Sequence, residues 1–379
     1  MNSRFLTALA ILTTAAAVEA QTPRAVFLLD RSGSMTLGGA PNRCDASAIA
    51  CQGDISAFFS AFPNGEISVR EFNDVIPTGS RAVPGFNEWM SASSEGSLAS
   101  AVTNGQNAVS ASVMCAGLTP LADAICDSAS ALLIRGIIDP SAECFFYVYS
   151  DGGENNSMGA CSGEYATNSD TGRCSFDTFA TGMPYETGPG GMPSWQQNSC
   201  AQIEALSLSC GLVLNVYKFN GFSIVGDPAL SFLDSASRGT GGFSINVADG
   251  TVPAPGGIQS FRDGCADSSG LRPLLQPLGT PTLGSNVNLV LQAGNYQRFI
   301  LLGFNEIDPG IDLGLVGSPG CVLTVDAAVT VGTGLFPLII PQNGALVGVT
   351  LETQGVGLGT LPSQAPVLTS NRIRLNIAP

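Results

Sequence analysis

The stretch Phe27 to Met35 reads FLLDRSGSM: an apolar run stops at Asp30, and hydroxyls follow at Ser32 and Ser34 with Gly33 between them. A carboxylate and two hydroxyls at alternating positions place three side-chain oxygens on one side of a tight loop, and Gly33 lets the backbone turn there without a Cβ clash. Two further pieces share this chemistry. Thr119 stands before a proline in GLTPLADAI, and Asp151 follows an apolar run in YSDGGEN. Two carboxylates and three hydroxyls are hard oxygen donors carrying little formal charge. That set suits Mg²⁺, which keeps some of its waters and demands octahedral geometry.

The composition removes most competing chemistries. The 379 residues contain no histidine. Ser-His-Asp and Cys-His nucleophiles, HExxH zinc sites and imidazole acid/base catalysis are therefore absent together. Carboxylate-only chemistry such as glycoside hydrolysis stays open. The net charge is −15, with Lys218 the single lysine and no basic cluster, so nucleic acid and anionic membranes are poor partners. Eleven cysteines fit an oxidising compartment with several disulfides, and the odd number means that at least one thiol is free or pairs between chains. Arg4, the apolar run from Phe5 to Val18 and the small-residue end at Ala20 read as a secretory signal peptide over residues 1–20. No later run is long and apolar enough to span a membrane. Secretion or a cell-surface location is the expectation.

The donors must be positioned by an ordered framework. From residue 24 to about 249, strand-like and helix-like segments alternate. Ala25–Asp30, Glu66–Asn73, Glu143–Tyr149, Gly211–Phe219 and Gly242–Val247 read as strands. Cys44–Phe62, Leu98–Val113, Pro120–Arg135, Trp195–Ser209 and Pro228–Ser237 read as helices, the first interrupted by Gly53 and the third with Thr119 as its N-cap. This pattern predicts an α/β fold with a doubly wound, mostly parallel sheet. Ligands bind such sheets beyond the carboxyl ends of the strands, where Asp30 and Asp151 both fall. Residues 152–197 form a long polar insertion on that face. Residues 251–281 read as a Pro- and Gly-rich linker, and residues 282–379 as a smaller all-β sandwich of short alternating strands.

With those elements in place, the chain resembles the von Willebrand factor A (vWA) domain with its metal-ion-dependent adhesion site. The family's Asp-x-Ser-x-Ser falls on Asp30, Ser32 and Ser34, its distant Thr on Thr119, and its Asp before Gly on Asp151. The resemblance covers roughly residues 24–249, within a domain taken as residues 21–250. It implies that Ser32, Ser34 and Thr119 bind the ion directly or through water, while Asp30 and Asp151 act mostly through water and hold the loops. It implies Mg²⁺, with Mn²⁺ or Ca²⁺ as alternatives, and an open coordination position for a carboxylate of a protein or surface ligand. The function expected is cation-dependent binding or adhesion rather than catalysis. The alternative is a structural envelope or extracellular-matrix protein in which the metal only braces loops. The C-terminal stretch is similar to a β-sandwich module of secreted bacterial proteins, which implies context and no chemistry.

Other candidates have plainer readings. Glu306, Asp308 and Asp312 in NEIDPGID could form a calcium loop, and a solvated acidic turn is preferred. Asp151 with Glu154 could form a catalytic acid pair, against which Asp151 is already engaged by the metal reading. Cys161 with Cys174 is expected as a local disulfide and Cys44 with Cys51 as a second. Cys126 and Cys144 are expected as core thiols and Cys321 as the unpaired one. Tyr185 and Trp195 are expected to pack under the insertion rather than line a groove. Oligomeric state is left open.

Overall fold

A computed structural model describes residues 22–76, 79–136, 143–152, 154, 157, 161, 172–177, 183–185, 193–219, 228–253, 257–261, 264–361 and 363–379. The expected signal peptide lies outside the described residues.

The first domain runs β1 (Arg24–Asp30), α1 (Arg43–Ala61), β2 (Glu66–Phe72), β3 (Arg81–Ala82), β4 (Met90–Ser91), α2 (Leu98–Ala111), α3 (Leu121–Gly136), β5 (Cys144–Ser150), β6 (Gly172–Arg173), β7 (Met183–Pro184), α4 (Trp195–Cys210), β8 (Val213–Lys218), α5 (Pro228–Thr240) and β9 (Ser244–Asn246). Its sheet has the order β3-β2-β1-β5-β8-β9, with β4 also on β2. The pairs β1–β2, β1–β5, β5–β8 and β8–β9 are parallel. Only the short β3 and β4 run antiparallel to β2. The expected doubly wound α/β domain is present.

Alternation along β1 explains why the sheet sits between two helical layers. Every residue of β1 is buried. Ala25, Phe27 and Leu29 face one core with Ala46, Ala50, Phe58 and Phe59 of α1 and Ala101 and Val109 of α2. Val26 and Leu28 face the other, with Leu121, Ile125 and Leu132 of α3, Ile203 and Leu206 of α4 and Leu233 of α5. A parallel strand covered on both faces reads as an unbroken apolar run, as FLL does. Gly53 does not break α1. Its cost of about 1 kcal/mol is small beside the roughly 1.5–3 kcal/mol that each fully buried Phe or Ile contributes, and Ile55, Phe58 and Phe59 are all buried.

The second domain contains β10 (Ile258–Phe261), β11 (Leu274–Leu278), β12 (Asn286–Gln292), β13 (Gln297–Asp312), β14 (Val322–Val331), β15 (Leu335–Ile339), β16 (Thr350–Leu358) and β17 (Val367–Asn376). Two antiparallel sheets, β10-β17-β16-β13-β14 and β11-β12-β15, enclose Val287, Leu289, Leu291, Ile300, Leu302, Ile373 and Leu375. Residues 251–281, expected as a linker, carry β10 and β11, which pair into these two sheets. The sequence disguised β11 because Pro277 lies within it; an edge strand tolerates proline, and β11 is an edge strand.

Side-chain bonds join the domains. Asn371 on β17 donates to the Gly241 carbonyl at 3.0 Å, to Ser260 Oγ at 3.0 Å and to the Leu275 carbonyl at 2.9 Å. Phe261 also packs against Phe62, just beyond α1, at a centroid distance of 6.0 Å.

The disulfides correct several expectations. Pairs form at Cys44–Cys115, Cys126–Cys161, Cys144–Cys210, Cys174–Cys200 and Cys265–Cys321. Cys51 is the free, buried thiol among the described residues, so Cys321 is not. Cys44 and Cys51 cannot pair because both lie on α1. Seven residues of helix separate them by about 10 Å, beyond the reach of a disulfide. Cys161 and Cys174 are both in the insertion yet each ties to a different helix, α3 and α4. Cys126 and Cys144 are buried as expected but bonded.

Candidate functional site: the crevice between β1 and β5

From β1 the chain passes to β2 on one side and later to β5 on the other, which makes the β1/β5 carboxyl ends the switch point of the sheet. Such a point leaves a crevice that no crossover covers. Asp30 ends β1, and Asp151 directly follows β5.

Asp30 is fully buried and organises the loop after it. Its Oδ1 accepts from the Ser32 amide at 2.8 Å, and its Oδ2 accepts from the Ser150 hydroxyl at 2.5 Å. Ser150 in turn accepts from the Gly152 amide at 3.0 Å. Asp30 thus locks the turn of its own loop and reaches the Asp151 loop through Ser150. The Ser32 and Ser34 hydroxyls lie 3.1 Å apart. Gly33 matters for a reason other than its own torsion. Its amide donates to the Gly117 carbonyl at 2.8 Å, and a Cβ there would stand 3.1 Å from that same oxygen. The Ala116 amide donates back to the Arg31 carbonyl at 2.8 Å. The loop that leads to buried Thr119 is therefore sewn to the serine loop by backbone bonds on both sides.

Thr119 is buried just ahead of α3. The helix begins at Leu121, with the Pro120 carbonyl accepting from the Ala124 amide. The exposed amides of its first turn are met from the Asp151 side. Glu154 Oε2 accepts from the Ala122 amide at 2.6 Å, and Ser157 Oγ accepts from the Asp123 amide at 3.0 Å. A carboxylate at a helix N-terminus is favoured by both hydrogen bonding and the helix dipole. Glu154 is thus a capping group, and its proposed partnership with Asp151 as a catalytic acid pair has no support.

Electrostatically the crevice holds too much negative charge for its depth. Burial, followed by the nearby Asp151 carboxylate, pushes Asp30 up to about 7, against the hydrogen bonds from Ser150 and Ser32. A divalent ion would relieve that repulsion. The donor spacing also fits one: cis ligands about 2.1 Å from an octahedral Mg²⁺ lie about 3.0 Å apart, close to the separation of the two serine hydroxyls. The residues that could hold it are Ser32, Ser34 and Thr119, with Asp30 and Asp151 behind them.

Three residues of the site had not been singled out. Ser150 ties Asp30 to the Gly152 amide of the Asp151 loop. Arg43, at the start of α1, donates to Asp151 Oδ2 at 3.0 Å. It also forms a two-nitrogen clasp on Asp249, with Nε to Oδ1 at 2.8 Å and Nη2 to Oδ2 at 3.1 Å. These bonds, ahead of the opposing effect of burial, raise the Arg43 guanidinium. A basic residue in the first helical turn opposes the helix dipole, and that mismatch was the one sequence signal for Arg43.

Farther along the insertion, Cys174, Asp177 and Tyr185 pack on the α4/α5 side. Asp177 is fully buried and accepts from Arg238 Nη2 at 2.7 Å and Ser235 Oγ at 2.8 Å. Trp195 and Phe232 meet edge to face at 5.1 Å, with Tyr185 6.4 Å from Phe232. Trp195 and Tyr185 are therefore packing residues here, as expected. The acidic stretch of residues 305–312 belongs to β13 rather than a loop. Glu306 is paired with Arg372 at 2.8 Å and Arg374 at 2.9 Å, and Asp312 accepts from the Gly314 amide at 2.8 Å. Two of the three carboxylates of that candidate calcium loop are thus engaged elsewhere.

At the level of sequence, no family model and no curated protein matches the chain. Among solved structures, the VWA domain of SpRpn10 aligns at 10% identity over 60% of this chain and 89% of its own, with a TM-score of 0.34. Manganese-loaded TRAP of Plasmodium vivax aligns at 12% identity over 52% and 57%, with a TM-score of 0.31. The pilus adhesin SpaC of Lactobacillus rhamnosus GG aligns at 11% identity over 95% of this chain and 44% of its own, with a TM-score of 0.43. The chain thus spans little more than half of that TRAP chain and less than half of that SpaC chain. Likeness at these values carries no argument about function, and the fold rests on the strand order and layering described above.

Proposed function

We propose that the chain is a secreted binding protein that grips an acidic group of a protein or surface ligand through a divalent cation. The ion would sit on Ser32, Ser34 and Thr119, with Asp30 and Asp151 orienting the loops and binding through water. Mg²⁺ is the first choice, and Mn²⁺ or Ca²⁺ the alternatives. The observation that carries this reading is the pair of serine hydroxyls 3.1 Å apart above buried Asp30, at the switch point of a parallel sheet. When bound, the ion would supply a Lewis-acidic position for a carboxylate. The chain's own residues do the rest: Asp30 fixes the serine loop, Ser150 couples it to Asp151, and the Gly33–Gly117 bond holds the Thr119 loop against it. Binding is preferred to catalysis because the sequence lacks histidine and Glu154 serves as a cap. The disulfides support an oxidising, extracellular setting, and no helix among the described residues is long and apolar enough to cross a membrane.

Calorimetry with MgCl₂ and MnCl₂ tests the reading. The full chain should bind one ion, and Asp30→Asn should keep its circular dichroism spectrum while losing affinity by about 100-fold. Equal affinity of the two proteins would refute the assignment. If EDTA lowers the melting temperature yet leaves retention on immobilised acidic peptides unchanged, the structural-protein alternative is favoured.

A further inference from the structure

Four of the disulfides are closed off, since Cys126, Cys161, Cys144, Cys210, Cys174, Cys200, Cys265 and Cys321 are all buried. Cys44–Cys115 differs. Both of its cysteines are only half-buried, and both line an open depression of about 380 Å³ together with Arg31, Asp45, Ser112 and Met114. This disulfide thus borders open space, unlike the other four.

The group beside the bond is equally unusual. Arg31 is 2% exposed, and its Nη1 lies 3.1 Å from Cys44 Sγ and 3.8 Å from Cys115 Sγ. Nη1 also donates to the Cys44 carbonyl at 3.2 Å, and the buried Nε has no hydrogen-bond partner. Glu71, Asp30 and Asp45 favour its charge from a distance, but no carboxylate among the described residues forms an ion pair with it. A buried guanidinium without a paired anion is costly, and a thiolate at Cys44 would be that anion.

We propose that Cys44–Cys115 is a thiol-exchange site, opened selectively by an external dithiol. One sulfur of the dithiol, as thiolate, attacks Cys115 Sγ. The S–S bond breaks, a mixed disulfide forms at Cys115, and the electron pair leaves on Cys44 Sγ, which rests as thiolate against Arg31. The second thiol of the reductant loses its proton to solvent and attacks its own sulfur in the mixed disulfide. Cys115 departs with the electron pair and takes up a proton. The protein disulfide has been reduced by two electrons and the dithiol oxidised to a disulfide. Cys44 is the favoured leaving sulfur because it lies nearer the guanidinium, and a stabilised thiolate leaves faster.

The consequence follows from where the bond sits. It spans 71 residues and ties the first turn of α1 to the loop carrying Gly117 and Thr119. Opening it removes the covalent tie and leaves the Gly33–Gly117 and Ala116–Arg31 backbone bonds between that loop and the serine loop. The exchange itself does not depend on the cation reading.

The test is timed alkylation. The native full chain is incubated with dithiothreitol without denaturant, quenched with iodoacetamide and mapped by peptide mass spectrometry. Cys44 and Cys115 should be labelled about tenfold or more faster than the other bonded cysteines, with circular dichroism unchanged and Cys51 unlabelled. Earlier opening of another pair, or simultaneous opening of all five with loss of structure, would overturn the proposal. In Arg31→Met, opening of this bond should slow by about tenfold while the others keep their rates; an unchanged rate would remove the guanidinium from it. Should that variant not fold, the order of labelling in the unaltered chain decides alone.

Discussion

Arg43 Nη1 stands 3.0 Å from Asp151 Oδ2, so a carboxylate of the candidate cation site is already held by a cation built into the fold. The same guanidinium clasps Asp249 just beyond β9, and so closes the crevice on the side of α1. Arg43 and a divalent ion therefore draw on the same negative charge. Arg43→Gln should raise Mg²⁺ affinity several-fold while lowering stability without the ion by about 1 kcal/mol. Calorimetry and urea melts with and without MgCl₂ read both effects. Weaker binding in the variant would show that Arg43 supports the site instead of competing with it.

Two glycines separate local strain from damage to the site. Gly117 has φ +79°, and a Cβ there would meet Asp74 Oδ1 at 1.8 Å; Gly39 has φ +87° with nothing within 4 Å. A left-handed torsion costs a non-glycine residue about 1–2 kcal/mol. Gly39→Ala should lose about that much stability and keep its cation affinity. Gly117→Ala should lose at least as much stability and, by displacing the loop of Thr119, lose cation affinity several-fold. Equal affinities for the two variants would mean that the Thr119 loop does not contribute to the site.

Asn371 and Ser260 both donate to the Gly241 carbonyl and so link the domains. Besides the three donations of Asn371, its Oδ1 accepts from the Leu275 amide at 2.8 Å. Asn371→Ala leaves several buried backbone groups without their partner and should cost about 3 kcal/mol. The measurement is chemical denaturation monitored separately by tryptophan fluorescence, which reports the first domain, and by far-ultraviolet circular dichroism. The two curves should separate in the variant, and a loss below about 1 kcal/mol would show that the contact is incidental.

Glu66 supplies an acid-sensitive contribution far from the crevice. Burial raises its carboxyl, but Arg135 and Arg24 outweigh that effect and hold it below its ordinary value of 4.5. The bonds are Arg135 Nη2 to Oε1 at 2.7 Å, Arg135 Nε to Oε2 at 2.9 Å and Arg24 Nε to Oε2 at 3.3 Å. A depressed carboxyl stabilises the fold above its unfolded value, and that stability is lost as pH falls through the folded value. Arg135 is partly exposed, so screening limits the effect to about 1 kcal/mol at pH 7. Glu66→Gln should show that deficit at pH 7, and the deficit should shrink as pH falls through the lowered folded value of Glu66 and vanish once both side chains are neutral. A deficit that does not shrink in acid would point to packing rather than charge.

Much of the framework is legible in the residues. FLL and CFFYVY are apolar without alternation, the pattern of strands covered on both faces, and both are central strands of the sheet. Ile55, Phe58 and Phe59 override Gly53, as their spacing on α1 foretells. β11 was hidden because Pro277 is a poor strand residue except at an edge, and only pairing reveals an edge. The first-turn amides of Ala122 and Asp123 are met by Glu154 and Ser157, which arrive from beyond β5, and no local pattern announces that.

The amino-acid sequence by itself determined which donors exist, their order along the chain and the strand ends that carry them. It also determined the absence of imidazole chemistry, because composition needs no fold to act. Only the tertiary structure decided that Arg43 shares Asp151 with the crevice, that the Ser150 hydroxyl reaches Asp30, and that Cys44 finds Cys115 beside Arg31. Each of those depends on bringing together groups dozens of residues apart. Local propensity governs neighbours along a chain, whereas burial against a shared sheet decides which distant groups must neutralise, bond or oxidise one another.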